Sequence, residues 1–151
     1  MNLNNTHIIP FEIISLEPDN YHLIVEGKID DQPILLILDT GASLSCFDMN
    51  FIENLLPNAE IKHYDGMNVS IASSNFESKL SILHNFQLGT LTFNDFPIVL
   101  IDFFHINEAY TQLGLSEIHG IIGSDFFVKY QAVIDFPKQQ LQIIFSDNHE
   151  Q

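Results

Sequence analysis

The stretch Ile34-Leu35-Leu36-Ile37-Leu38-Asp39-Thr40-Gly41-Ala42-Ser43 decides how this chain is read. Five apolar residues in a row, bounded by Pro33 before and Gly41 after, read as a strand buried on both faces. Asp39 falls where that strand leaves the core and the chain turns. A buried lone carboxylate is costly, so Asp39 is expected to be hydrogen-bonded, paired or partly protonated. Thr40 and Ser43 can offer hydroxyls, and Gly41 lets backbone amides come close. Such a perturbed acid marks a candidate active site, although alone Asp39 serves equally as a structural turn residue.

Outward from that stretch the chain is punctuated at short intervals. Pro10–Leu16 and Tyr21–Ile29 read as strands about the turn Glu17-Pro18-Asp19-Asn20. Leu44–Phe47 is next, as a short strand. Asp48 is a plausible N-cap for a helix over Met49–Leu56, stopped by Pro57. Met67–Ala72 and Phe76–Gln87 read as a hairpin around the polar tip Ser73-Ser74-Asn75. Pro97–Ile101 is a second apolar strand, and His105–Leu115 a short helix. Gly120–Gly123 is a short buried strand leading into a helix over Ser124–Tyr130. Gln131–Phe136 and Leu141–Phe145 close the chain. Many short strands, turns and brief helices predict an all-β fold, mainly β with short helices, as a closed sheet or barrel. Residues 1–9 are expected as a disordered arm or extra edge segment, and residues 10–147 as one domain. A weak repeat relates 26–39 to 88–102: Gly, strand, acidic turn, Pro, apolar strand, Asp. It suggests two similar halves about a pseudo-two-fold axis.

Composition excludes several functions. The 151 residues include twenty acids, five Lys and no Arg, for a formal charge of −15. Phosphate backbones and anionic membrane surfaces require cations, so neither nucleic acid nor membrane is an expected partner. No 18-residue uncharged apolar run exists to span a bilayer. The N-terminus lacks a basic segment followed by an apolar one, so the expected location is cytoplasmic, export with a removed signal being the alternative. The only cysteine, Cys46, allows no intramolecular disulfide and reads as a small buried residue. The seven His are scattered as surface or packing residues, so no metal or cofactor is expected. Ser43 does not sit in the GxSxG pattern of a serine nucleophile.

Two segments together carry a family resemblance. Asp39-Thr40-Gly41-Ala42-Ser43 behind its apolar strand resembles the active-site turn of aspartic proteases. Eighty residues on, His119-Gly120-Ile121-Ile122-Gly123-Ser124-Asp125-Phe126-Phe127 resembles the family's second signature. Ala132–Phe136 and Leu141–Ile143 are similar to its closing strands. The arrangement, over roughly residues 10–145, is similar to the retropepsin-like, single-lobed aspartic proteases.

The resemblance implies an endopeptidase whose two facing carboxylates share one proton, since at about 3 Å both cannot ionise. The charged partner activates a water against the peptide carbonyl, and the protonated one polarises that carbonyl. This chain has one Asp-Thr-Gly, so the resemblance implies a homodimer with Asp39 from each copy on the two-fold axis. Thr40 would brace the two turns, Gly41 would offer its carbonyl to substrate, and Ala42 and Ser43 would complete the loop. Ile121 and Ile122 would pack beneath the turn, with Gly123 opening a helix and Asp125 bonding nearby backbone. Ser73, Ser74, Asn75 and Phe76 form the candidate flap over an extended peptide, with no glycine at its tip. Ser124 stands where retroviral members carry Arg, so an Arg–carboxylate brace is not expected. Asp102, followed by Phe103-Phe104, reads as an ordinary strand-end acid. A silent dimer of the same fold, binding peptides without cutting them, is the alternative function.

Overall fold

A computed structural model describes residues 5–63 and 78–146. Thirteen strands and three short helices are seen among them. The N-terminal strands are β1 (Thr6–Pro10), β2 (Glu12–Glu17), β3 (Asn20–Ile29), β4 (Gln32–Leu38) and β5 (Cys46–Asp48). Helix α1 (Met49–Leu55) leads to β6 (Lys62–His63). Beyond the undescribed residues come β7 (Lys79–Leu83), β8 (Phe86–Leu88), β9 (Leu91–Phe93) and β10 (Phe96–Ile101). The remainder is α2 (Phe104–Gln112), β11 (Gly120–Ile122), α3 (Ser124–Lys129), β12 (Val133–Asp135) and β13 (Gln140–Ile144). The mainly-β expectation holds.

The larger sheet runs β6-β7-β10-β5-β11-β4-β3-β8-β9, with β2 added beside β3. Among the described residues that path runs from β6 to β9. The sheet folds over at β3. One edge of β3 pairs along its length with β4, while the other is shared between β2 near its start and β8 near its end. Gly27 permits the second pairing, because a Cβ there would lie 2.8 Å from the Gln87 carbonyl oxygen. The strand expected over Phe76–Gln87 is broken at His84-Asn85 for the same reason. Lys79–Leu83 stays with β10, whereas Phe86–Leu88 crosses to β3, and the Asp30 amide donates to the Asn85 carbonyl at 3.2 Å.

The centre of the sheet carries the internal repeat. β5 and β11 pair antiparallel; β10 lies parallel outside β5, and β4 parallel outside β11. Each inner strand then feeds a helix, α1 or α3. The two halves are thus related by a pseudo-two-fold axis between β5 and β11. Their central strands are buried on both sides, as the unbroken apolar runs require. From β4, Ile34, Leu36 and Leu38 enter the main core, while Ile37 enters a second cluster beneath α2 with Cys46, Val99, Phe103 and Tyr110. Alternation with period two divides one apolar strand between two cores.

A separate three-stranded sheet, β1-β13-β12, covers the main core. β1 places Ile9 in that core beside Leu141 and Ile143, so the segment after Thr6 is ordered edge structure. Asp48 precedes α1 but does not cap it with its side chain. Its Oδ1 instead accepts the Phe103 amide at 3.1 Å, tying β5 to the start of α2. No described helix is long and apolar enough to cross a membrane.

Candidate active site

The candidate site forms where β4 ends. The Asp39 amide donates to the Ile122 carbonyl at 2.9 Å, extending the β4–β11 pairing by one residue into the turn. The turn closes with the Ala42 amide on the Asp39 carbonyl at 3.2 Å. The Gly41 amide donates to Asp39 Oδ1 at 2.8 Å, fixing the carboxylate. Gly41 is needed for space, since a Cβ would lie 3.1 Å from that oxygen. Asp39 is exposed, against the expectation of a buried acid. The physical reason is local: burial ends with Leu38, and Asp39, Thr40 and Gly41 all face outward.

The second signature holds the turn from below. Ser124 Oγ donates to the Thr40 carbonyl at 2.7 Å, and the Ser124 amide donates to the Ala42 carbonyl at 2.8 Å. Gly123 permits this approach, because a Cβ would meet the Ala42 carbonyl oxygen at 2.6 Å. Asp125 accepts the Ser45 amide on both oxygens at 3.0 Å and the Ser45 hydroxyl at 2.8 Å. The same Ser45 Oγ accepts the Gly123 amide at 3.0 Å. Ser45, 1 % exposed, thus ties the chain leaving the turn to both β11 and α3. Ile122 is fully buried in the main core, while Ile121 faces the second cluster.

A family model for aspartyl proteases matches residues 25–126, which span both the Asp39 turn and the Ser124–Asp125 brace. The chain belongs to the aspartyl protease family. Its fold is similar to the crystal structure of a retropepsin-like aspartic protease from Rickettsia conorii, with a TM-score of 0.54 and 16 % identity over 93 % of each chain. It is also similar to the retroviral protease-like domain of Ddi1 from Leishmania major, with a TM-score of 0.54 and 18 % identity. That match covers 84 % of this chain and 96 % of the other. At such identities the likeness is one of fold. A comparison with curated proteins gives no match.

In this family member the Asp39 turn and the second signature meet through the Ser124 bonds to Thr40 and Ala42. The candidate flap residues Ser73, Ser74, Asn75 and Phe76 lie outside the described residues. Ala42 is buried and Ser43 exposed. A cavity of about 1100 Å³ lies between the 55–62 loop and strands β7 and β10, and its lining takes up the chain at Leu44, past the Asp39 turn. Leu44, Leu80, Ile82 and Val99 give it an apolar wall, and Ser45 and Asp125 lie at its lining. Cys46 is a free, fully buried thiol. Burial, then the Asp125 and Asp39 carboxylates, push its pKa up to about 12, so it is protonated and inert at neutral pH.

Sequence reasoning assigned no role to Ser45. The available signal was one hydroxyl inside Leu44-Ser45-Cys46-Phe47, which a buried strand admits only if both donor and acceptor are matched. Asp125 was read as bonding backbone; it accepts the Ser45 amide and the Ser45 side chain as well.

Proposed function

We propose that this chain is an aspartic endopeptidase acting as a homodimer. Asp39 from each copy meets across a two-fold axis, and the pair shares one proton. The ionised carboxylate takes a proton from a water, which attacks the peptide carbonyl. The protonated carboxylate polarises that carbonyl, and a proton passes to the leaving nitrogen. The observation that carries this reading is the exposed Asp39 carboxylate, held in place by the Gly41 amide on a turn braced from below. A catalytic acid left open to solvent on one subunit is half a site, and a second copy supplies both the missing acid and the burial. Thr40 faces the partner turn, and the Gly41 carbonyl receives the substrate backbone. The apolar cavity wall favours extended segments with aliphatic or aromatic side chains.

Purified protein mixed with a denatured protein mixture between pH 4 and 7, with cuts mapped by mass spectrometry, tests the reaction. Cleavage by wild type and not by Asp39→Asn is expected. Equal, background cleavage by both would favour the silent peptide-binding dimer. Sedimentation tests assembly separately, and a strict monomer under cleaving conditions would sink the shared-proton mechanism.

A further inference from the structure

One half-buried titratable group close to the catalytic strand has no part in the proton transfers of the carboxylate pair. His119 precedes β11 and lies between β4 and β5. Its Nδ1 accepts the Leu35 amide at 3.0 Å, and its own amide donates to the Leu35 carbonyl at 2.9 Å. On the other side its carbonyl accepts the Asp48 amide at 2.9 Å. The Phe51 ring of α1 lies 4.4 Å from the imidazole, centroid to centroid. His119 therefore fills the place of a strand residue on one side and uses its ring to satisfy a backbone donor that β11 begins too late to reach.

We propose that His119 is a positioning residue that locks β4, the strand carrying Asp39, and that its protonation in mild acid releases the lock. An imidazole that accepts through Nδ1 carries its proton on Nε2. Adding a second proton places N–H against the Leu35 N–H, so the bond becomes a donor–donor clash. Four residues further on, directly after β4, stands Asp39. The acid limit on the site thus comes from the scaffold as well as from the carboxylates.

The surroundings of the ring pull in both directions. Burial holds the pKa below its ordinary value of 6.5, outweighing Glu117 from the preceding loop, Asp48 from β5 and the Leu35 backbone, which favour the charged ring. The Leu35 amide itself, donating to Nδ1, can bond only the neutral form. β4 has no titratable residue, and Glu53, the acid of α1, bonds Lys79 at 3.1 Å. In the unfolded chain His119 takes a proton as pH falls through about 6.5, while the folded chain resists it. Stability from this site is complete above that pH and drains away below it.

The lock stands on its own geometry; only its effect on cleavage rests on the protease reading. Thermal melts and amide exchange from pH 7.5 to 5 test it on wild type, His119→Asn and both in an Asp39→Asn background. The Asn side-chain oxygen can accept the Leu35 amide without titrating. Wild type is expected to lose roughly 3–5 °C more of its melting temperature on acidification than His119→Asn. Leu35 amide protection should fall in wild type only. Both differences persist with Asp39→Asn, where no catalysis is possible, so they survive even if the protease reading fails. Parallel melting curves would overturn the lock. If His119→Asn does not fold, an NMR titration of the wild-type ring decides: a midpoint below the ordinary value of about 6.5 with Nδ1 unprotonated supports it, and one at or above that value overturns it. For activity, profiles scaled to each protein's own maximum should lose their acid edge at higher pH in wild type than in His119→Asn.

Discussion

The two halves of this fold end their outer strands in the same way and then diverge. Asp39 comes directly after β4, and Asp102 directly after β10. Each carboxylate accepts the amide two residues on: Gly41 at 2.8 Å in one half, Phe104 at 2.9 Å in the other. Each outer strand lies parallel to an inner strand that feeds a helix. After Asp39 the chain makes an open turn through Thr40, Gly41 and Ala42, with the β11–α3 segment braced beneath it. After Asp102 it buries Phe103 completely and runs straight into α2. One strand-end acid is presented; the other is the lead-in to a packed helix. An Asp at this point of the architecture is therefore a structural turn former first. Small residues after it, and a brace beneath them, are what free it for chemistry.

The sharpest break in the comparison is Asp39→Asn. The amide oxygen can still accept the Gly41 N–H, so the turn persists and the melting temperature should move by no more than about 2 °C. Cleavage should fall by roughly 10³-fold or more, because Asn cannot share or take up the proton. Peptide-cleavage rates and melts on the same preparation check both halves. Phe103→Ala attacks the other half. It empties a fully buried aromatic site under α2, and a loss of about 3–5 kcal/mol is expected from chemical denaturation. Cleavage per folded molecule should change far less than with Asp39→Asn. A loss equal to that of Asp39→Asn would mean that the second half is not merely scaffold.

Much of this architecture was legible because two signals agreed at each point. The apolar run over Ile34–Leu38 and the Gly120–Gly123 strand announce two-sided burial, and the structure supplies two separate cores for them. The repeat at 26–39 and 88–102 corresponds to the related outer strands. The features that stayed hidden depend on partners distant in sequence. Asp48 looked like a helix cap, but Phe103, 55 residues later, claims its carboxylate. The Phe76–Gln87 strand looked continuous, because periodicity does not record that the chain changes neighbours at His84-Asn85. Asp39 looked buried because its predecessors are, yet burial stops at Leu38. Ser45 and His119 escaped because their roles lie in bonds 78–84 residues away in sequence.

Ser45→Ala sharpens the contrast by removing the serine brace beneath the first half's turn. It leaves the buried Gly123 amide without its acceptor and Asp125 without one of its donors. A loss of about 1–3 kcal/mol is expected in denaturant unfolding. Ser45→Thr keeps the hydroxyl and should recover most of it, if the extra methyl is accommodated. The brace holds the loop that presents Asp39, so cleavage should also drop measurably in Ser45→Ala at temperatures where the protein remains folded. An unchanged rate would show that the turn holds itself without help from α3.

The smallest effect expected is the most informative about the pseudo-symmetry. Asp102→Asn makes the same chemical change as Asp39→Asn, at the equivalent strand end, and retains an oxygen for the Phe104 amide. Its carboxylate is exposed, so removing the charge carries little desolvation gain or loss, and stability should change by no more than about 0.5 kcal/mol. Cleavage should stay within about twofold of wild type, since an exposed surface substitution away from the reacting atoms alters no step of the reaction. The two variants measured side by side hold chemistry, local hydrogen bonding and position in the fold constant. They differ only in the residues after the acid: Thr-Gly-Ala-Ser or Phe-Phe. A large loss with Asp102→Asn would place a second functional acid within one subunit and remove the need for a partner to supply it. A negligible one leaves Asp39 as the only acid of the pair that the fold presents for reaction, and makes assembly the step on which activity depends.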